Sequence, residues 1–316
     1  MILVVVGYNK HIRFRKHTIV VREFCRSEGN KYKTLERVPI SKVKALVILG
    51  RSKTISVNVL HELVRRGIPV VLSYRGLSIF TVPAEGAHYE VRMKQYMLDN
   101  EKKLPIAREI VRGKIMGQRQ FLYDLNRSRE LGEVREAIVE LKRMAIETYK
   151  VKDLDAVRNI EAEAAKVYWD AMKNFWGVYG FDKRRKRFED PRDPVNSSLN
   201  FLYTILASYG AAAIAATSLD PYVGFLHMES TRRAGLVFDI IEEFRPIVDR
   251  AVNHALRITK GRFDYKALVD AFERRIFATY AYRFRRMSAV QIMISQAREI
   301  ERYLLTGKPY QGFVVR

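Results

Sequence analysis

Three residues in this 316-residue chain have the right chemistry to hold a divalent cation: Glu161, His227 and an acid of the segment Asp239-Ile240-Ile241-Glu242. Asp239 and Glu242 lie three apart, a spacing that puts both carboxylates on one face of a helix and within reach of one ion. His227 closes the segment Leu219-Asp220-Pro221-Tyr222-Val223-Gly224-Phe225-Leu226-His227, whose Pro and Gly predict a turn able to aim its imidazole at that helix. Arg245, three residues beyond Glu242, could anchor that carboxylate or contact phosphate. Glu161 sits in a helical stretch beside small alanines that permit close packing. Mixed nitrogen and oxygen donors suit manganese or magnesium better than calcium, and a single cysteine, Cys25, argues against a thiolate zinc site. Spacing alone is a weak signal here. Most helical glutamates are solvated partners of Lys or Arg, and most histidines near a helix start are structural.

The composition narrows the substrate. Lys and Arg total 57 against 35 Asp and Glu, a formal charge of +22, and the excess is spread along the chain. That balance favours a polyanion such as DNA, RNA or an anionic membrane. A divalent metal in a basic protein is a device for cutting or joining a nucleic-acid backbone. The lone Cys25 excludes an internal disulfide and fits a reducing, cytoplasmic setting. There is no Gly-x4-Gly-Lys-Ser/Thr phosphate loop, no His-Glu-x-x-His and no Gly-x-Ser-x-Gly turn. Residues 194–219 carry no charge and could span a bilayer by length. Their Asn, Ser, Thr and Ala content predicts a buried central helix instead.

The elements that must position these residues divide in two. Short β-branched runs at 3–6, 18–21, 45–49, 69–72 and 77–82, with turn signals at 28–30 and 75–76, predict strands. One helix is expected at 57–66, stopping at Gly67. The texture changes near 83–86. From there the periodicity predicts helices over 89–101, 104–127, 129–149, 153–174, 197–217, 230–257, 264–281 and 286–305, with Ile106, Ile110, Val111, Ile115 and Leu122 as one apolar stripe. The expectation is an α+β chain, a small β-rich domain (1–85) followed by a larger all-α domain (86–316). The run Lys183-Arg184-Arg185-Lys186-Arg187 repels itself, predicting an exposed loop that could meet phosphates.

Four stretches carry a resemblance to the CRISPR spacer-acquisition integrases, a family of metal-dependent DNA endonucleases that insert new spacers into CRISPR arrays. Residues 159–169 resemble that family's Ile-Glu-Gly helix, with Ala162 in place of the usual glycine. Pro194-Val195-Asn196-Ser197-Ser198-Leu199-Asn200-Phe201-Leu202-Tyr203 is similar to its Pro-x-Asn-x-x-Leu-Asn-x-x-Tyr segment. Residues 219–227 match Leu-Asp-Pro-x-x-Gly-x-x-His, and 236–246 match Asp-x-x-Glu/Asp-x-x-Arg-Pro. Residues 107–118, with Gly113-Lys114-Ile115, look like the family's first long helix. The resemblance implies Glu161, His227 and Glu242 as metal ligands, with Asp239 as helper or occasional ligand. It implies manganese or magnesium, attack of a DNA 3′-hydroxyl on a phosphodiester, and hydrolysis when water replaces that hydroxyl. It further implies double-stranded and branched DNA substrates, a homodimer paired through the β domain, and a small ferredoxin-like partner subunit. Lys183, Arg184, Arg185, Lys186, Arg187, Arg232, Arg233, Arg245, Arg283, Arg285 and Arg286 are the expected backbone contacts. The rival expectation is a non-catalytic DNA-binding scaffold that uses only the basic surface. A peripheral membrane protein is the weaker third, because the basic cluster 283–286 is too interrupted for an amphipathic helix.

Overall fold

The computed structural model of the chain describes residues 2–25, 29, 31–43, 45–50, 53–66, 68, 70–73, 77–80, 89–186, 189, 192–227 and 234–316. The first region holds β1 (Ile2–Val5), β2 (Lys10–Arg15), β3 (Thr18–Cys25), β4 (Lys31–Pro39), β5 (Ala45–Leu49), β6 (Lys53–Ile55), α1 (Val57–Arg65), β7 (Val70–Ser73) and β8 (Leu77–Phe80). They form two four-stranded sheets, ordered β1-β5-β7-β8 and β4-β3-β2-β6. In the first sheet β5 is flanked by parallel partners and buried along its whole length, as its unbroken run of Ala, Leu, Val and Ile requires. Its alternating side chains serve two cores. Leu46 and Ile48 join Leu3, Ile12, Ile19 and Leu63 in a small cluster. Ala45, Val47 and Leu49, on the opposite face, join the large core of the helical region.

That region comprises α2 (Tyr89–Tyr96), α3 (Asn100–Asn126), α4 (Gly132–Glu147), α5 (Leu154–Trp176), α6 (Pro194–Ala215), α7 (Gly235–Glu242), α8 (Arg245–Ile258), α9 (Tyr265–Ile276), β9 (Thr279–Tyr282), β10 (Arg285–Ser288) and α10 (Ala289–Thr306). The β-rich then helical order agrees with the expected fold class. Helix starts follow side-chain chemistry: Asp99, Asp153, Asp193 and Asp264 each accept a backbone N–H of the first turn. All five residues of the stripe expected in α3 are buried. Among the described residues α6 is the one helix long and apolar enough to cross a membrane, and 72% of its apolar window is buried inside the protein.

Several expectations need correction. The helix expected over 230–257 is two helices, because the chain turns at Glu243-Phe244 and restarts at Arg245 with Pro246 in the first turn, where a missing N–H needs no partner. The helix expected over 264–281 ends at Ile276, and the region expected to be all-α contains a hairpin of β9 and β10. Thr279, Tyr280 and Tyr282 favour the strand there. Ser288 then starts α10 with a reciprocal cap from Gln291, so 286–288 are strand and not helix. Strands β2, β4 and β6 were not among the expected strands, although Ile12 and Phe14 of β2 alternate with arginines. The helix stop at Gly67, most of the turn at 28–30, the turn at 75–76 and the boundary at 83–86 lie outside the described residues.

After α10 the chain packs back across the helices, burying Tyr310, Phe313 and Val315. Its backbone is caught by two buried acids. Gly312 N–H donates to Glu109 Oε2 at 2.8 Å, and Phe313 N–H donates to Glu243 Oε2 at 3.0 Å. Tyr310 hydroxyl and Gln296 Nε2 also donate to Glu243, each at 2.7 Å.

Candidate metal centre

Glu161, in the third turn of α5, meets Glu242, the last residue of α7, across the packed helices. His227 comes in from the loop before α7. One ligand-type atom from each lies within 4.8 Å of the other two. Glu242 is 1% exposed, whereas 39% of the His227 side chain is accessible, so the cluster opens on the histidine side.

The loop carrying His227 is fixed from several directions. Gln95 of α2 donates to the Asp220 and Val223 carbonyls and accepts from Asp220 N–H. Arg158 of α5 donates to Leu226 O at 3.0 Å. Glycine permits the tightest approach: a Cβ on Gly235 would stand 2.3 Å from His227 O, and one on Gly224 would stand 2.7 Å from Asp239 Oδ2. Asp239 is fully buried and does not join the three-residue group. It accepts the N–H groups of Phe225, Leu226 and His227 and pairs with His227 Nδ1 at 2.7 Å. With Nδ1–H donated to Asp239, the lone pair rests on Nε2, the arrangement that suits a metal-bound histidine. Asp239 is thus a positioning group for His227.

Two cations meet the acids. Lys114 of α3, 5% exposed, contacts Glu161 Oε1 and stands 2.8 Å from Glu242 Oε2. Arg245 Nη2 lies 2.7 Å from Glu242 Oε1, with its guanidinium 4.9 Å from the centre of the Tyr203 ring. Burial disfavours charge on Glu242, but Arg245, Lys114 and His227 outweigh it and hold the carboxyl below its ordinary pKa. Burial also works against a charged His227. The bond to Asp239 and the fields of Glu242, Asp239 and Glu161 prevail and raise its pKa.

The donor set fits a hard divalent cation. Both Glu242 oxygens are buried, held at ion-pair distance without a well-directed hydrogen bond, and so keep lone pairs to offer. Two carboxylates and one imidazole make the mixed oxygen and nitrogen set that manganese or magnesium accepts.

The expected DNA contacts separate into groups. Lys183 and Lys186 are exposed. Arg184 departs from the expected free loop: its Nη1 and Nη2 donate to Asn196 at 3.0 Å and Asn200 at 2.7 Å, and it lies 5.5 Å from the Tyr203 ring centre. Flat guanidinium against an aromatic face lets this charge pack where a run of like charges suggested it could not. Arg185 is tied to Asp182, and its N–H donates to Asn196. The two asparagines of the 194–203 segment are therefore clamps for the basic loop. Arg285 and Arg286 are exposed on the hairpin, and Arg283, at its turn, pairs with Glu299 at 2.8 Å. Arg245 is engaged with Glu242 inside the candidate centre. Arg187, Arg232 and Arg233 lie outside the described residues. Lys114, Gln95, Asn196 and Asn200 were not singled out by type. For Lys114 the signals were its place in Gly113-Lys114-Ile115 of the resembling helix and its setting among apolar residues on the buried side of an amphipathic helix.

A further buried acid, Asp249, lies in the helical core. Asp249 accepts the hydroxyls of Tyr168 at 2.8 Å and Tyr203 at 2.6 Å. Burial pushes its pKa up to about 6, against these hydrogen bonds and the fields of Arg245 and Arg184.

Known proteins share this fold and sequence. The family described as CRISPR associated protein Cas1 matches residues 3–272. CRISPR-associated protein Cas1 3 of Methanobrevibacter ruminantium is 30% identical over an alignment spanning all of both chains. CRISPR-associated endonuclease Cas1 1 of Archaeoglobus fulgidus is 28% identical over 99% of each. Among solved structures, a casposase bound to its integration product superposes with a TM-score of 0.77 at 20% identity, covering 99% of this chain and 92% of that one. A Cas1 protein from Thermotoga maritima gives 0.74 at 19% identity over the whole of both chains. At those identities the structural likeness speaks for the fold. The match along residues 3–272 and the full-length 30% relative together establish that this chain belongs to the Cas1 family of CRISPR-associated proteins.

Proposed function

We propose that this chain is a DNA integrase and endonuclease of CRISPR adaptation. The observation that carries the reading is the meeting of Glu161, His227 and Glu242 within 4.8 Å in a chain of net charge +22. In the forward reaction the 3′-hydroxyl of a short DNA fragment attacks a phosphodiester at the border of a repeat. A new 3′-oxygen–phosphorus bond forms as the original one breaks, and the proton of the attacking hydroxyl is exchanged for a free 3′-hydroxyl on the displaced strand. Water in place of the attacking hydroxyl gives hydrolysis.

Glu161, His227 and Glu242 would hold one manganese or magnesium ion. Bound there, the ion supplies polarisation of the target phosphate and neutralisation of transition-state charge. Asp239 keeps Nε2 of His227 available, and Arg245 and Lys114 keep Glu242 ionised. Lys183, Lys186, Arg187, Arg232, Arg233, Arg285 and Arg286 would hold DNA backbones, with Arg283 at the hairpin turn. Arg184 and Arg185 would shape the loop that carries Lys183 and Lys186. Such contacts weaken steeply with salt through counterion release.

Residues 1–85 and 86–316 would serve as separate domains, the first pairing two copies into a homodimer. A small ferredoxin-like subunit would complete the assembly. The similarity to a solved Cas6-RT-Cas1–Cas2 complex supports a CRISPR partner, and that to a Cas1–DNA complex supports DNA as substrate.

The test is strand joining on a branched DNA that mimics a half-integrated spacer, with manganese present. The intact chain should join the strands and His227→Ala should not. Equal joining by both would put the chemistry elsewhere. DNA binding without joining by either would favour the scaffold.

A further inference from the structure

Lys114 is an unusual lysine. It lies mid-helix, 5% exposed, and burying a charge there is costly unless it is paired. Its two described ion-pair partners are Glu161 and Glu242, the two carboxylates of the candidate metal centre. Its ammonium therefore stands between the acids that a divalent cation would also need. Arg245 shares Glu242 but takes the other oxygen, and its guanidinium is laid against the Tyr203 ring. Of the two cations, Lys114 is the one on a flexible stem with rotatable donors, so it can withdraw without breaking a stacked contact.

We infer that Lys114 is a built-in counter-ion that holds the metal's place, gathering Glu161 and Glu242 in the metal-free protein and competing with a divalent cation for them. This rests on the metal centre proposed above. Without Lys114, two carboxylates would face each other across a buried gap, and the repulsion would spread the site. With it, Lys114 and Arg245 balance Glu161 and Glu242, and an arriving dication meets a cluster close to neutral. Lys114 thus stabilises the empty site and weakens metal binding, which keeps the occupied and empty states closer in free energy.

The experiment uses the full chain stripped of metal with chelator, titrated with Mn2+ while free ion is followed by electron paramagnetic resonance. Melting temperatures are recorded with and without Mn2+. Lys114→Met, with nearly the same length and no charge, should bind Mn2+ at least about tenfold more tightly than the parent, since a like charge beside the ion is gone. Its metal-free form should melt lower and gain more from added Mn2+. Equal or weaker Mn2+ affinity in folded Lys114→Met would overturn the inference. Should that variant fail to fold, Glu161→Gln and Glu161→Gln/Lys114→Met decide instead: the double variant must bind Mn2+ more tightly than the single one, or the inference fails. His227→Ala separates the two readings. Binding abolished by His227→Ala but indifferent to Lys114 removes this inference alone. No His227-dependent binding at all removes the metal centre, and this inference with it.

Discussion

Glu242 and Glu243 are neighbours in sequence, both fully buried, and they live in opposite electrostatic worlds. Glu242 faces Lys114 and Arg245, and those charges keep it ionised in spite of burial. Glu243 points the other way, into Gln296, Tyr310 and the Phe313 N–H, all neutral donors. Burial pushes its pKa up to about 8, and neutral hydrogen bonds only partly oppose it. One step along the backbone, about 100° around a helix, separates a carboxylate kept charged from an acid used as a structural acceptor. Burial alone does not decide ionisation. The charge of the partners does.

That contrast can be broken by exchanging which acid is lost. Glu242→Ala should cost at least about a hundredfold in strand joining and Mn2+ affinity, since even residues behind a ligand are worth 10- to 100-fold. Glu243→Ala should instead lower the free energy of unfolding by about 3 kcal/mol, leaving Tyr310, Gln296 and the Phe313 N–H without their acceptor. Denaturant melts and joining assays on both variants would expose the reverse pattern, if it exists. Asp239→Asn is the next largest effect: an amide can present the wrong partner to Nδ1, so Mn2+ affinity should fall about 10- to 100-fold with the fold retained by circular dichroism. Affinity equal to the parent would make Asp239 a loop anchor only.

Asp249 sharpens the comparison, because it combines neutral tyrosine donors with nearby arginines and its pKa, about 6, falls between the two extremes. Its folded value is raised above the unfolded one, near 3.8. Its contribution is therefore fully present below about pH 4 and is lost as pH rises through about 6. Relative to Asp249→Asn, the parent should lose roughly 2–3 kcal/mol of stability between pH 4 and pH 7. Parallel stability curves across that range would show that Asp249 keeps its proton equilibrium unchanged on folding.

The spacing of the donors was a weak signal by itself, and Glu161, His227 and Glu242 were legible chiefly through the resemblance carried by residues 159–169, 219–227 and 236–246. What stayed hidden depended on contacts far apart in sequence. Lys114 reads as one more lysine on a charged helix until α5 and α7 close over it. Arg184 reads as part of a repelling run, and the Tyr203 and Trp169 rings with two asparagines from α6 explain why it turns inward. Strand β4 is exposed at nearly every position, so no alternation marked it, whereas β5, buried throughout, was plain. The break between α7 and α8 was written in Arg245-Pro246, but apolar periodicity continued on both sides and masked it.

The segment from Tyr310 to Phe313 bears on how the molecule is made. Phe313 follows Glu243 by 70 residues, yet supplies one of its hydrogen bonds. On the ribosome, Glu242 and Glu243 emerge well before the strand of chain that will shelter the second of them. Synthesis proceeds at about 5–20 residues per second, so this acid waits several seconds for its donors. During that interval Glu243 is free to stay hydrated and charged, and the helix end that carries Glu242 has no reason to settle. The segment around Tyr310 and Phe313 then docks long after α7 has been made, which makes the support beside Glu242 a late event in the life of each new molecule.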